Sequence, residues 1–250
     1  MKVAIMQPYF FPYIGYFQLI AAVDVFILYD NIKYTKKGWI NRNRILQNGK
    51  SAMVSLPLKK DSDYLDVRER ELALGFNRDK LLNQIREAYK HAPYFSQTFA
   101  LVERIIQFQE KNLFKFLHHS IVKTCEHLGI VTAIKISSHI AIDHNLKNQD
   151  KVIALCIAVS GDTYVNAIGG VNLYSEEVFR EQSIDLKFIQ SLSMNYLQFG
   201  EQFVPLLSII DTLMALGSVN IKHRLKAFSL ICSQNNAIDI VAEQINAQRN

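Results

Sequence analysis

Two short apolar runs near the start of the chain constrain its fold more than any other feature. Lys2–Met6 and Val25–Tyr29 have the length and the nearly unbroken apolar character of buried strands. The stretch Ile14–Ala22 between them predicts a helix. A strand, a helix and a strand in this order predict parallel pairing through a right-handed crossover. We therefore predict a βαβ unit, whose first β–α turn is where sheets of this kind usually bind ligands.

The next part of the chain adds a hairpin and a helical block. Asn48-Gly49 lies between Trp39–Gln47 and Ser51–Leu58, which predicts a β-hairpin that either joins the sheet or projects from it. Helical patterns dominate residues 77–128. We predict an α/β fold with a mostly parallel sheet that begins with the βαβ unit, together with a β-hairpin and a helical insertion, all in one domain over residues 1–250.

Strands and helices alternate again after the helical block. Strands are predicted at residues 131–137, 163–167 and 185–189, and a short helix over Ser175–Gln182 has Ser175 as its N-cap. A last helix is predicted over Pro205–Leu216, ending at Gly217, and the tail from Asn235 is polar with some helical character.

Composition narrows the class of protein. Hydrophobic residues make up 49% of the chain and charged residues 20%, which is ordinary for a globular protein and unlike a disordered one. The three cysteines are far apart, which favours reduced core residues in a cytoplasmic protein. No apolar stretch reaches the about 18 residues of a membrane span. The net charge of +5 suits a nucleotide or a phosphorylated sugar, and the cations are clustered too locally for a nucleic-acid stripe.

Aromatic side chains crowd the turn after the first predicted strand. The candidate substrate-binding residues there are Gln7, Tyr9, Tyr13, Gly15 and Tyr16. The helix that follows presents free N–H groups and a partial positive charge, which suit phosphate or carboxylate. A glycine allows close approach of the backbone to a ligand, and tyrosines offer stacking faces and hydroxyl groups to a base or a sugar. The alternative is that the rings only fill the core.

Asp30 follows the second predicted strand and points toward the same edge of the sheet as the turn. A carboxylate at this position can act as a general base, accept a hydrogen bond from a ribose hydroxyl or bind a metal. The alternative is a capping or turn residue. We take Asp30 as the candidate catalytic residue.

Cations surround the only tryptophan, Trp39, and the candidate substrate-binding residues continue with Asn41, Arg42, Asn43 and Arg44. Arginine can hold phosphate or carboxylate through two parallel hydrogen bonds, and an indole can stack on a base. In a strand, the two asparagines share one face and the two arginines the other. Only one pair then faces a pocket, unless the strand is bulged or lies at an edge. The alternative is a solvated run of charge.

Two later segments add candidates. A strand followed by Gly169-Gly170, with Asn166 before it, makes Gly170 and Tyr174 candidates for a second anion site, with a plain turn as the alternative. Ser208 and Asp211 are three apart on a predicted apolar helix and so share a face. They are candidate binding residues, with structural hydrogen bonding as the alternative. No HExxH or HxxxH pattern occurs, and no metal site is predicted.

These segments together resemble the WbqC-like protein family. The resemblance extends from Lys2 to about Gly217, with the motifs in the expected order. Its motifs are Gln7-Pro8-Tyr9, Pro12-Tyr13-Ile14-Gly15-Tyr16-Phe17, Asp24-Val25-Phe26, Tyr29-Asp30, Trp39-Ile40-Asn41-Arg42-Asn43, Ala92-Pro93-Tyr94-Phe95, Tyr174 and the run from Phe203 to Asp211. One departure is Asn166-Ala167, where the family pattern has Ser-Gly directly after the strand tyrosine.

The resemblance implies a role in bacterial surface polysaccharide biosynthesis, that is, of O-antigen and lipopolysaccharide. It suggests a transferase that N-acylates or aminoacylates a nucleotide-linked amino sugar. Coenzyme A or an acyl carrier would supply the group, the donor itself is not specified, and no bound cofactor is predicted. The turn residues with Arg42 and Arg44 would bind the diphosphate, Trp39 or a tyrosine would stack on the base or sugar, and Asp30 would accept a proton from the amine.

Two alternatives stay open. The turn Tyr13-Ile14-Gly15-Tyr16 is somewhat similar to that of HIGH-motif nucleotidyl transferases, with tyrosines in place of both histidines. An ATP-dependent nucleotidyl transferase or amide ligase is therefore one alternative. The other is a non-catalytic binding partner of a polysaccharide assembly enzyme.

Overall fold

The fold is α/β, as predicted, in a computed structural model that describes residues 1–192, 195–199 and 202–232. Its strands are β1 (Lys2–Met6), β2 (Val25–Leu28), β3 (Arg42–Gln47), β4 (Lys50–Ser55), β5 (Ala133–Ile136), β6 (Thr163–Ala167), β7 (Asp185–Ser191) and β8 (Phe228–Ile231). Six of them form one sheet in the order β5-β2-β1-β6-β7-β8. All its pairs are parallel except β7 with β8.

Seven α-helices are described: α1 (Ile14–Ala21), α2 (Arg78–Tyr89), α3 (Phe95–Ile106), α4 (Leu113–Leu128), α5 (Asn148–Ala158), α6 (Glu176–Glu181) and α7 (Ile209–Arg224). The predicted helical block corresponds to α2, α3 and α4. Asparagines cap two of these, because Asn77 and Asn112 accept hydrogen bonds from backbone N–H groups in the first turn. Within the described ranges, no helix has both the length and the apolar character needed to cross a membrane.

The two faces of the sheet carry separate cores, because successive side chains of a strand point to opposite faces. Ala4 and Phe26 belong to the larger core, which includes α1, the helical block and α7. Val3 and Ile5 belong to the other core, which includes α5 and α6. The sheet is thus covered on both faces, which explains why its central strands β1 and β2 are nearly unbroken apolar runs.

The order of the strands reverses at β1. From β1 the chain first adds β2 and β5 on one side, and later adds β6, β7 and β8 on the other. The predicted βαβ unit is confirmed, because α1 connects β1 to β2 and the two strands pair in parallel. The carboxyl ends of β1 and β6 therefore bound the crevice where open α/β sheets bind ligands.

The predicted hairpin forms a separate two-stranded ribbon of β3 and β4. Asn48 and Gly49 both have positive φ, of 51° and 72°, as a tight turn with the twist of a hairpin requires. Of the two arrangements left open by the sequence, projection from the sheet is the one observed. Because β3 has a strand partner on one side only, it is an edge strand.

Three details differ from the prediction. The helix predicted from Pro205 begins instead at Ile209, because Ser208 is its N-cap and accepts a hydrogen bond from the N–H of Ile210. It does not end at Gly217, which produces a kink (φ 72°, ψ 163°) before the helix resumes. β8 was not predicted. Ser175 precedes α6 but makes no side-chain capping bond. The tail from residue 235 lies outside the described residues.

Candidate binding site

A cavity of about 470 Å³ lies at the carboxyl ends of β1 and β6. Met6 and Gln7 line it from the end of β1, and Asn166 and Ala167 from the end of β6. The N-terminus of α1 and the start of the β3–β4 ribbon complete its walls. The cavity thus lies at the point where the strand order reverses, and its size is in the range of sites for small molecules.

Ten of the predicted site residues line this cavity. They are Gln7, Tyr9, Tyr13, Gly15, Tyr16, Trp39, Asn43, Arg44, Gly170 and Tyr174. The other five, Asp30, Asn41, Arg42, Ser208 and Asp211, lie outside its lining. The structure therefore brings together the turn after β1, the start of the ribbon and the loop after β6, and separates from them the residue expected to be catalytic.

The aromatic turn after β1 divides between the core and the cavity. Phe10 and Phe11 are buried, and Phe11 has a positive φ of 42°. Their carbonyl oxygens accept hydrogen bonds from Nδ2 of Asn43, at 3.0 and 2.8 Å, and the Phe11 oxygen also accepts one from Oγ of Ser208 at 2.8 Å. These bonds hold the backbone so that the two phenylalanines fill the core while the tyrosines of the same turn face the cavity.

Neutral phenol groups dominate the polar lining of the cavity. Burial raises the pKa of Tyr9 and of Tyr29 to about 12, with smaller contributions from Tyr13 and Tyr174 respectively. Burial also raises the pKa of Tyr13 and, more strongly, of Tyr16. These hydroxyls therefore keep their protons at neutral pH and can donate hydrogen bonds. Tyr16 already donates to the carbonyl oxygen of Gln7 at 2.9 Å, so its hydroxyl is a support of the turn.

The ring of Tyr13 lies across Gly15 at the N-terminus of α1. A Cβ at Gly15 would overlap this ring, so the glycine is what allows the tyrosine to lie there. Tyr13 occupies the N-cap position without a side-chain capping bond. The N–H of Tyr16 donates to the carbonyl oxygen of Tyr13 at 3.0 Å, so the N–H groups of Ile14 and Gly15 are the ones that no described residue engages.

Arg44 is the cation of the cavity lining. Its guanidinium lies 5.5 Å from the centre of the Trp39 ring, in a cation–π contact. Among the described residues, none accepts a hydrogen bond from its buried Nε, and burial lowers the pKa of the side chain. Nε of Arg70 and of Arg78 is also buried without a partner, but only Arg44 of the three lines the cavity, where an acceptor can reach it. Arg44 is thus placed to bind an anion that enters the cavity.

Asn41 and Arg42 support the ribbon from outside the cavity. Arg42 donates to the carbonyl oxygens of Gly38 (3.1 Å) and Lys37 (2.7 Å), so it closes the loop before β3. Asn41 accepts from the Tyr34 hydroxyl and donates to the carbonyl oxygen of Leu56, each at 2.8 Å. The strict alternation expected for a strand does not hold here, since Asn43 and Arg44 are adjacent and both line the cavity, as the edge position of β3 allows.

Asp30 is buried at the end of β2, with its carboxylate turned toward β5. It accepts hydrogen bonds from Oγ of Ser137 (2.7 Å) and from the backbone N–H (2.9 Å) and Oγ (2.6 Å) of Ser138. These bonds cap the short turn after β5 and so correspond to the capping alternative. The placement gives no support to Asp30 as a proton acceptor in the cavity.

Ser208 and Asp211 do not form a paired face, because Ser208 is the N-cap of α7. Asp211 is buried and accepts hydrogen bonds from the hydroxyls of Tyr89 (2.8 Å) and Tyr196 (2.6 Å) and from Nε2 of Gln198 (3.0 Å). Burial raises its pKa, and these three donors partly oppose that change. Asp211 therefore links helix α2 to the segment before α7, as the alternative of structural hydrogen bonding predicts.

The loop after β6 forms the wall opposite Arg44. Residues 168–173 make a 3-10 turn rather than an open glycine loop, and Tyr174 packs edge-on against Tyr164. Tyr29 and Asn166 line the cavity although neither was chosen as a site residue (Asn166 was noted only beside Gly169-Gly170), and Leu206 was missed. The first two stand at or beside the carboxyl ends of β2 and β6, so the strand-end rule could have found them. Leu206 reaches the cavity from a backbone with a φ of 56°, for which no sequence signal exists.

The other polar clusters are weaker candidates for a functional site. Among the described residues, no group of three or more His, Cys, Asp or Glu side chains is placed to hold a metal ion. His119 stacks on Phe108 with 3.9 Å between ring centres, and burial lowers the pKa of His118 and of His119. Cys125 and Cys156 are buried, and Cys232 is partly exposed.

Comparison with known proteins assigns the chain to a family. The sequence model of the WbqC-like protein family matches residues 7–223. The chain is also 30% identical over 222 residues to "Uncharacterized protein Rv1507c" of Mycobacterium tuberculosis, an alignment that covers 87% of this chain and 94% of that protein. The chain belongs to the WbqC-like protein family, and all cavity-lining residues except Ile5 and Met6 lie within the matched range.

Proposed function

We propose that this WbqC-like protein binds a nucleotide-linked sugar in the cavity between β1 and β6 and transfers an acyl or aminoacyl group to the amine of that sugar. Such a reaction would serve the biosynthesis of bacterial surface polysaccharide, including O-antigen. The observation that carries the proposal is the pairing of Trp39 with Arg44, whose buried Nε finds no hydrogen-bond partner in the part of the chain that the structure describes. An aromatic face next to an unmatched cation suits a base linked to phosphate.

The two ends of the cavity suit the two ends of such a ligand. On the side of the ribbon, the base would stack on Trp39 and the diphosphate would bind Arg44 and the free N–H groups of α1. The sugar would then extend toward the end of β6, between Tyr174 and the 3-10 turn that contains Gly170.

The phenol groups fit acyl transfer. The sugar amine would attack the carbonyl carbon of a thioester, so that a C–N bond forms and the C–S bond breaks. Negative charge develops on the carbonyl oxygen, and neutral donors placed near that oxygen lower the barrier. Tyr9 and Tyr13 are suited to this role, since their raised pKa values keep both hydroxyls protonated. The amine proton would leave with the thiolate as a free thiol, so no role for Asp30 is needed.

A non-catalytic binding role is the second candidate. The observation in its favour is the position of Asp30, whose carboxylate bonds with Ser137 and Ser138 and lies outside the cavity lining. In this case the protein would present a nucleotide-linked sugar to an enzyme of polysaccharide assembly without changing it.

The test combines binding with turnover. Calorimetry with UDP-glucosamine and UDP-N-acetylglucosamine measures binding, and mass spectrometry of mixtures of UDP-glucosamine, which has the free amine, with acyl-CoA, acyl carrier protein or aminoacyl donors detects the acylated sugar. Arg44→Met is the site variant, and Arg42→Met is its matched control on the same strand. Product formation that depends on Arg44 supports the transferase. Binding of UDP-glucosamine without product from any donor supports the second candidate, and absence of binding by both sugars contradicts both.

A further inference from the structure

The side chain of Asn166 at the end of β6 is anchored through its amide oxygen, whereas its NH₂ group is free. The residue is 5% exposed and lines the cavity. Its Oδ1 accepts a hydrogen bond from the backbone N–H of Ala167 at 2.8 Å. Among the described residues, none accepts a hydrogen bond from its Nδ2. Nδ2 is not among the buried polar atoms that lack a partner, so it is open to the cavity, where an acceptor of a ligand can reach it.

The orientation of this amide is fixed by its surroundings. Turning it over would place the NH₂ group against the N–H of Ala167, where two donors would face each other. A Cβ at Gly170 would overlap Nδ2, so the glycine provides the space that the NH₂ group occupies. The cavity therefore meets a donor at this position and not an acceptor.

Apolar groups stand beside this donor. Ile168 and Leu173 line the same end of the cavity, together with the ring of Tyr174. Leu173 is 67% exposed without a ligand, although it is a large apolar side chain. A hydrogen-bond donor next to apolar side chains matches an N-acyl group, which has a carbonyl oxygen and an alkyl chain. A free ammonium group offers only donors and would leave Nδ2 unpaired.

We propose that Asn166 is a specificity-determining residue that donates a hydrogen bond to the carbonyl oxygen of an N-acyl group on the bound sugar. The inference rests on the proposed function and narrows its substrate to nucleotide-linked sugars that already carry one N-acyl group in addition to the amine to be modified. Asn166 binds the ligand and takes no part in bond formation.

Calorimetry on the wild-type protein tests the proposal without any variant. Three probes share the same nucleotide and differ at one position of the sugar: UDP-N-acetylglucosamine, UDP-glucosamine and UDP-glucose. We expect UDP-N-acetylglucosamine to bind about tenfold more tightly than UDP-glucosamine, because only the acylated sugar makes the hydrogen bond with Asn166. Equal affinities for UDP-N-acetylglucosamine and UDP-glucosamine would overturn the role of Asn166 but not the proposed function. Failure of all three to bind overturns the proposed function, and this assignment with it.

The variant Asn166→Asp tests whether Asn166 causes the difference in affinity between the two sugars. It keeps the bond to Ala167 and replaces the free donor with an acceptor, so the preference should reverse in favour of UDP-glucosamine. Asn172→Asp is the control, because it adds the same charge at an exposed position in the same 3-10 turn. Thermal unfolding verifies that both variants fold. An unchanged preference in a folded Asn166→Asp protein would contradict the proposal.

Discussion

Replacing Arg44 with methionine should change stability and ligand binding in opposite directions. Methionine keeps most of the apolar stem and removes the guanidinium. In the free protein it removes a buried Nε without a partner, which relieves about 1–3 kcal/mol, and it loses the cation–π contact with Trp39, which is worth about 0.5–1 kcal/mol at a partly exposed site. The free energy of unfolding should therefore be unchanged or up to about 2 kcal/mol higher.

Binding should weaken at the same substitution. A hydrogen bond between a guanidinium and phosphate contributes about 1.5–3 kcal/mol, which corresponds to a roughly 10- to 150-fold increase in Kd. Urea unfolding gives the first quantity, and calorimetry with UDP-N-acetylglucosamine gives the second. A residue that serves only the fold would show the reverse: lower stability and unchanged binding.

Arg42→Met is the matched control on the same strand. It removes the bonds to the carbonyl oxygens of Gly38 and Lys37, so it should lower the free energy of unfolding by about 1 kcal/mol and leave Kd within about twofold. If Arg44→Met destabilises the protein as Arg42→Met does, or if the two variants bind equally well, the assignment of Arg44 to an anion is wrong.

Three further predictions concern the framework around the cavity. Asn43→Ala leaves two turn carbonyls with fewer donors and should lower the free energy of unfolding by about 3 kcal/mol in urea titrations; a change below about 1 kcal/mol would contradict its supporting role. Burial raises the pKa of Asp211 in the folded protein above the ordinary value of 3.8. The folded state therefore favours the protonated carboxyl, and the stability that this group contributes is fully present below pH 3.8 and is lost as the pH rises through the higher pKa. Asp211→Asn cannot ionise, and its unfolding free energy relative to wild type should increase as the pH rises above 3.8; a difference that stays constant with pH would contradict the raised pKa. Because burial raises the pKa of Cys125 and Cys156 to about 12, a disulfide reagent at mildly alkaline pH should modify Cys232 first and the other two only after unfolding, and fast reaction of all three would contradict their burial.

The sequence predicted the features that depend on local pattern. Apolar runs of strand length, separated by a helical stretch, identified β1, α1 and β2 because both faces of a parallel sheet must be apolar. The rule that ligands bind at the carboxyl ends of such strands then placed ten of the predicted residues around the observed cavity. Asn48-Gly49 identified the hairpin because its conformation requires positive φ.

The sequence could not tell which polar side chains were free to meet a ligand. Asp30 satisfies its carboxylate with two serines that lie 107 and 108 residues further along the chain. Asn41 and Arg42 donate to backbone carbonyls, whereas no carbonyl of the described residues accepts a hydrogen bond from the side chain of Arg44. Such differences depend on which backbone comes near after folding. Asn166 was noted beside the glycines but was not chosen as a site residue for the same reason, since one amide hydrogen bond distinguishes it from an ordinary strand-end residue.

The pairing of β1 with β6 has a consequence for synthesis of the chain on the ribosome. Val3 pairs with Tyr164, and the turn after β1 is held through the carbonyl oxygen of Phe11 by Ser208. At about 5–20 residues per second, roughly 10–30 s pass between translation of β1 and translation of β6. During that interval β1 can pair with β2 but has an unpaired edge on its other side. The cavity has its first wall in the turn after β1, but it can close only after β6 and Ser208 have also been made.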